Sequence, residues 1–174
     1  MASKGKVTVT GIESFRSKLD KLPYAIQVRV AKNAVNAGGA QLRMTVRKLI
    51  QQNALGDGLN EQGKSRDHLF KNIINKAKSY GKDKIPVATV GAEYNKTPHA
   101  HLVHDGTRPH VTPVPAPGLA GKLGRKFKVP HPGARAYPFM TIGMKKAGGR
   151  IQKAMVAHLA KGIDKALTKQ AGGK

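Results

Sequence analysis

Apolar residues recur along this chain at two spacings, and the change from one to the other marks its elements. Ile12-Glu13-Ser14-Phe15 opens a helical pattern in which Phe15, Leu19 and Leu22 follow i, i+4, i+7, and Pro23 ends it. From Tyr24 to about Ala54, Val28, Ala31, Val35, Gly38, Leu42, Val46 and Leu49 step by three or four. That predicts one long helix with a single apolar face. Arg29, Lys32, Asn33, Asn36, Arg43 and Arg47 fall on its other side. The Gly38-Gly39 pair either bends this helix or lets a neighbouring backbone approach closely. A second long helix is predicted over Phe139–Gln170, where Ile151, Met155, Leu159, Ile163 and Leu167 recur near every fourth position and Lys146, Arg150, Lys153 and Lys161 point away from them.

Alternation of period two appears elsewhere. Lys6–Thr10 reads as a short strand ended by Gly11. Leu69–Tyr80 and Ile85–Tyr94, joined by Gly81-Lys82-Asp83-Lys84, predict a β-hairpin, with Ile74, Lys76 and Lys78 on one face of its first arm. Pro86 places the second arm at an edge. Thr97–Thr107 predicts a short helical turn closed by Gly106. Leu59–Asp67 is polar and loop-like, and residues 171–174 form a fraying tail. Most of the ten prolines lie between 107 and 138, and Pro113, Pro115 and Pro117 alternate, which favours an extended polyproline-like run. These elements predict an α+β fold: two long helices packed on a small antiparallel β-sheet, with a long Pro/Gly-rich arm at residues 108–130. The 174 residues make one domain.

Composition sharpens this picture. Hydrophobic residues are 39% and aromatic residues 5%, with no Trp, which is thin material for a dense core. An elaborated fold that gains stability from neighbours is expected. Lys and Arg number 32 against 9 Asp and Glu, a formal charge of +23. Such a chain belongs beside something acidic: nucleic acid, an anionic membrane or an acidic protein surface. The charge is dispersed, with clusters at Lys76/Lys78, Lys82/Lys84, Lys122/Arg125/Lys126/Lys128 and Lys145/Lys146, which suits non-specific phosphate contact or docking more than sequence readout. The absence of Cys excludes disulfides, thiolate zinc sites and a Cys nucleophile. No run of about 18 apolar residues offers a membrane span. Met1–Thr10 is basic but lacks the apolar region of a signal peptide, so a cytoplasmic product is expected.

Candidate chemistry is sparse. His99, His101, His104 and Asp105, with His110 nearby, include metal-ligating residue types. The simpler expectation is a packed turn with His104 and Asp105 as a local hydrogen-bonded pair. Ser14, Ser17, Ser65 and Ser79 sit in no Gly-x-Ser-x-Gly elbow, and the acidic residues are too scattered for a nuclease centre. Gly118–Lys126 is Gly- and Lys-rich but lacks the Gly-Lys-Ser/Thr of a phosphate loop; it reads as a flexible segment or as a basic finger. Isolated aromatics offer no single-strand stacking platform. No catalytic residue, cofactor site or metal site is assigned.

Three stretches carry a family resemblance. They are Gly11-Ile12 with Leu19-Asp20-Lys21-Leu22-Pro23, then Ala100–Thr107, and then His131-Pro132-Gly133-Ala134-Arg135-Ala136-Tyr137-Pro138-Phe139-Met140. In this order the chain resembles the neck or tail-completion proteins of long-tailed double-stranded DNA bacteriophages, the lambdoid head–tail joining and minor tail group. The likeness covers roughly residues 7–170 and is weakest over 108–130. It differs in the Leu59–His68 linker, which lacks the family's "proline, Val, Asp, Thr, Gly" step, and in a longer arm.

The resemblance implies a structural virion protein without enzymatic activity. Such a protein forms a homo-oligomeric ring, typically hexameric, around the DNA ejection channel. Its neighbours would be a head-side connector or stopper and a tail terminator or tail tube protein, with non-specific contact to duplex DNA and no membrane. It would be made in the host bacterial cytoplasm. Arg108, Lys122, Arg125, Lys126 and Lys128 are the expected interface residues of the arm, and His131, Pro132, Gly133, Pro138 and Phe139 would set its return into the last helix. Two alternatives remain: a basic, non-specific nucleic-acid-binding protein, and a tail terminator subunit of the same particle.

Overall fold

A computed structural model describes residues 12–53, 69–115 and 126–172. The predicted strand at Lys6–Thr10, the loop at Leu59–Asp67 and the segment 116–125 lie outside them. Among the described residues, four helices, one short 3-10 turn and four strands follow in order: α1 (Ile12–Asp20), α2 (Tyr24–Gln52), the turn Leu69–Asn72, β1 (Ile73–Tyr80), β2 (Ile85–Ala92), α3 (Ala100–Asp105), β3 (His110–Pro115), β4 (Lys126–His131) and α4 (Phe139–Ala171). The class is α+β, with two long helices and a small two-stranded sheet β1–β2; β3 and β4 form a second two-stranded sheet. Backbone contacts divide the chain into two compact units.

The first unit holds residues 12–43, 75–90 and 147–172 of the described chain. Its core gathers Leu22, Val30 and Ile163, with Leu19, Ile26, Leu159, Ala166 and Leu167 packed around them. Glycines set how closely its elements meet. A Cβ on Gly162 would lie 2.8 Å from Val30 Cγ1, and one on Gly38 would lie 2.6 Å from Met155 Cγ. Each long helix therefore contributes a glycine where the other crosses it, about two turns apart on each helix. Gly39 serves the hairpin instead: a Cβ there would meet the Asn75 amide and come 3.0 Å from Ala88 Cβ. Asn75 Nδ2 donates to Asn36 O (3.1 Å) and Asn36 Oδ1 (2.9 Å), tying β1 to α2. Tyr24 Oη donates to Asp83 O at 2.8 Å and ties the hairpin turn to the start of α2. The glycine pair thus permits close approach, and α2 runs unbroken through it.

The second unit holds residues 44–53, 69–74, 91–115 and 126–146. Val46, Leu49, Ile50, Leu69, Ile73, Ala100 and Phe139 are its buried apolar residues. Arg47 Nε and Nη2 donate to Ile73 O (3.1 and 2.8 Å) and Nη2 also donates to Lys71 O (2.7 Å), so one guanidinium satisfies two carbonyls at the start of β1.

Four sequence expectations change. The buried stripe of α2 begins at Val30, Ala34 and Gly38, and Val28, Ala31 and Val35 are only half-buried. Adjacent apolar residues offer two candidate stripes, and the glycine contacts select between them. Arg43 and Arg47 leave the solvated face: the Arg43 Nε is buried, and the Arg47 guanidinium reaches the carbonyls of Lys71 and Ile73. The first hairpin arm starts at Ile73, since burial at Leu69, Asn72 and Ile73 has helical-turn spacing that a strand cannot provide; the second ends at Ala92, where Glu93 N bonds Asn72 O at 2.9 Å. Finally, the irregular arm expected at 108–130 is a paired ribbon on both sides of residues 116–125.

Candidate interaction surfaces

The ribbon forms despite its prolines because of where they fall. β3 pairs antiparallel with β4 in the register His110 with His131, Val111 with Pro130, Thr112 with Val129, Pro113 with Lys128, Val114 with Phe127 and Pro115 with Lys126. In such a ladder, alternate pairs exchange N–H···O bonds. Pro113, Pro115 and Pro130 have no N–H, and all three occupy the same alternate class. The donors therefore belong to His110/His131, Thr112/Val129 and Val114/Phe127. The missing N–H groups are those that would point outward, so prolines blunt the outer edge of β3 against strand addition.

The two faces of the ribbon differ in chemistry. Val111, Pro113, Lys126, Lys128 and Pro130 share one, while His110, Val129 and His131 share the other. Lys126 and Lys128 are exposed, as are Val111 (57%) and Val129 (45%), which gives each face an uncovered apolar residue. The His110 and His131 rings lie 4.9 Å apart, tilted by 32°. His131 Nδ1 accepts from Gly133 N at 3.0 Å, and His110 Nδ1 meets Arg108 O at 2.9 Å.

The base of the ribbon brings together two of the stretches singled out in the sequence. Thr107 and Ala134 exchange backbone bonds (2.9 and 3.1 Å), Thr107 Oγ1 accepts from Ala134 N at 2.8 Å, and Tyr137 N donates to Val103 O at 3.0 Å. Two glycines with positive φ make this possible. Gly106 (φ 73°, ψ −179°) lies so close that a Cβ would be 2.6 Å from Ala134 O, and at Gly133 (φ 86°) a Cβ would strike the Thr107 carbonyl.

Of the predicted interface residues, Arg108, Lys126, Lys128, His131 and Pro132 are exposed along the ribbon and its base, Gly133 forms the turn, and Pro138 is exposed at the entry to α4. Lys122 and Arg125 lie outside the described residues. Phe139 is 2% exposed and faces inward, edge-on to the His104 ring at 5.1 Å, so its part in the return into α4 is packing. His104 Nδ1 and Asp105 Oδ1 are 2.6 Å apart, the local pair expected of this turn. Among the described residues no group of three or more His, Cys, Asp or Glu could hold a metal ion.

One electrostatic feature escapes a residue-by-residue reading. No acidic residue occurs between Asp105 and Asp164, a span that carries eleven Lys and Arg and includes the whole ribbon and most of α4. Helix α2 also has no acid along its length. The scarcity of acids is visible in the sequence once they are mapped as gaps rather than as candidate sites. Among the described residues no helix is long and apolar enough to cross a membrane. Comparison with family models, curated proteins and solved structures returned no match.

Proposed function

We propose that this chain is a structural subunit of the head–tail joint of a long-tailed double-stranded DNA bacteriophage, which closes with copies of itself into a ring and connects tail to head. One observation carries the reading. Two of the three stretches that resemble the neck and tail-completion family, Ala100–Thr107 and His131–Met140, are hydrogen-bonded to each other at the base of a cationic ribbon. Residues dispersed in sequence thus build one structural feature. The faces of the ribbon carry exposed Val111 and Val129 beside Lys126 and Lys128, the mixed apolar and charged chemistry of an inter-subunit contact. Two long helices and short strands also favour this reading over a tail terminator, which should be richer in strand.

Sedimentation of the purified chain at rising concentration tests the assembly step. A closed oligomer of fixed mass is expected, because a ring needs heterologous contacts whose rotation closes. A chain that stays monomeric throughout, and is missing from assembled particles, overturns the proposal. In the phage, deleting residues 112–128 should leave heads and tails that accumulate without joining, whereas full infectivity would refute it.

The acid-free span favours a second reading, a non-specific nucleic-acid binder. It requires tight duplex binding whose log K falls linearly with log salt, and replacing Lys126 and Lys128 by Ala should reduce that slope by about 2. Absence of duplex binding at about 50 mM salt removes this reading.

A further inference from the structure

Among its described residues, the first unit carries an apolar groove that ring formation through the ribbon leaves unexplained. It runs between α2 and α4 with a volume of about 440 Å³ and is lined by Ala31, Val35, Gly148, Ile151, Val156 and Leu159 among others. Val156 is 38% exposed, and at Gly148 no atom lies within 4 Å of where a Cβ would stand. The lining on α4 extends from Gly148 to Leu159, about 16 Å at the helical rise, room for roughly three turns of a docked helix. Small residues on both walls allow that helix to approach closely.

Charge decides what can lie there. Lys32 and Lys153 are exposed, and each stands three residues before a lining valine, Val35 and Val156, so that both flank the groove. Neither α2 nor α4 up to Ile163 holds a single acid to offset them. A second copy laying its own α2 or α4 into the groove would bring cations against cations, which is costly. An occupant with Asp or Glu flanking an apolar stripe would meet both the floor and the rim. We propose that this groove is the docking site for an acidic amphipathic helix of a different protein, presented as i, i+3/i+4, i+7 apolar anchors with carboxylates on either side. The proposal is independent of ring closure, and either can fail alone.

The probe is a fluorescently labelled helical peptide of about three turns, with Leu at the anchor positions and Glu at the flanks, measured by anisotropy against the full chain. A control peptide keeps the Leu residues and replaces Glu by Lys. Two variants block the groove. Gly148→Leu fills it from an open site in a helix interior, where replacing Gly also favours the helix, so loss of binding cannot be ascribed to unfolding. Val156→Glu puts a like charge in the path of the ligand.

The expected result is a Kd below about 100 μM for the Glu peptide, with binding at least roughly tenfold weaker for the Lys peptide and for each variant. Equal binding of both peptides, no binding, or binding unaffected by Gly148→Leu overturns the proposal. So does a change in the oligomeric state of the unliganded chain caused by Gly148→Leu, since the groove would then belong to a second copy. Loss of binding to phosphatidylglycerol vesicles in the same variant would assign the groove to anionic lipid and overturn it as well.

Discussion

The same substitution, Gly to Ala in a helix interior, should have opposite effects at Gly39 and Gly149. Removing glycine from a helix favours folding by about 1 kcal/mol, because Ala has less backbone freedom to lose. At Gly149 nothing lies within 4 Å of the added Cβ, so the gain should appear almost undiminished. Gly39 is different. Its new methyl would be 2.9 Å from Asn75 Cγ and 3.0 Å from Ala88 Cβ. Ala88 cannot yield without its strand, and Asn75 is held by two bonds to Asn36. Overpacking of this kind costs about 1–3 kcal/mol, and displacing the Asn75 amide forfeits about 1 more.

The balance for Gly39→Ala is a net loss of about 1–3 kcal/mol after the helix gain is deducted. In thermal unfolding followed by far-UV circular dichroism, Gly149→Ala should raise Tm by roughly 2–4 °C and Gly39→Ala should lower it by roughly 3–10 °C. Urea midpoints should move in the same directions at unchanged slope. If Gly39→Ala stabilises the chain as much as Gly149→Ala does, α2 and the hairpin are not packed at this glycine and the account of the first unit is wrong.

Other substitutions test other contacts. Gly133→Ala should destabilise by at least about 2 kcal/mol, since a left-handed backbone and a blocked Thr107 carbonyl act together, and hydrogen exchange should show the Thr107 and Ala134 amides losing protection. Arg47→Met should cost about 2–4 kcal/mol in urea unfolding, because the carbonyls of Lys71 and Ile73 lose a charged donor in a half-buried site. Lys84 has φ 46° without being glycine, so Lys84→Gly should raise stability by about 0.5–1 kcal/mol in the same assay; a loss would show that its side chain contributes more than its backbone conformation costs.

Much of the helical architecture was legible in the sequence. Spacing by three and four located both long helices to within two residues of their observed ends, because an amphipathic helix of about 30 residues repeats its pattern many times. The turn Gly81-Lys82-Asp83-Lys84 located the first hairpin for a local reason, the turn chemistry of its residues. The ribbon β3–β4 was hidden. Alternating prolines read locally as a polyproline run, and nothing in either segment reveals that their prolines share one class of a common register. Likewise the Ala100–Thr107 and His131–Met140 stretches were each visible, while their bonding across Thr107 and Ala134 was not.

By itself, then, the sequence determined the helices, the hairpin turn and the surplus of positive charge, all properties of neighbours along the chain or of simple counts. Tertiary structure alone decided which stripe of α2 is buried, why Gly38, Gly39 and Gly162 must lack a side chain, where Arg47 points, and that a paired ribbon and an apolar groove exist. Those are pairings between residues tens of positions apart. They depend on which surfaces fit one another, a matter of shape that local preference does not encode.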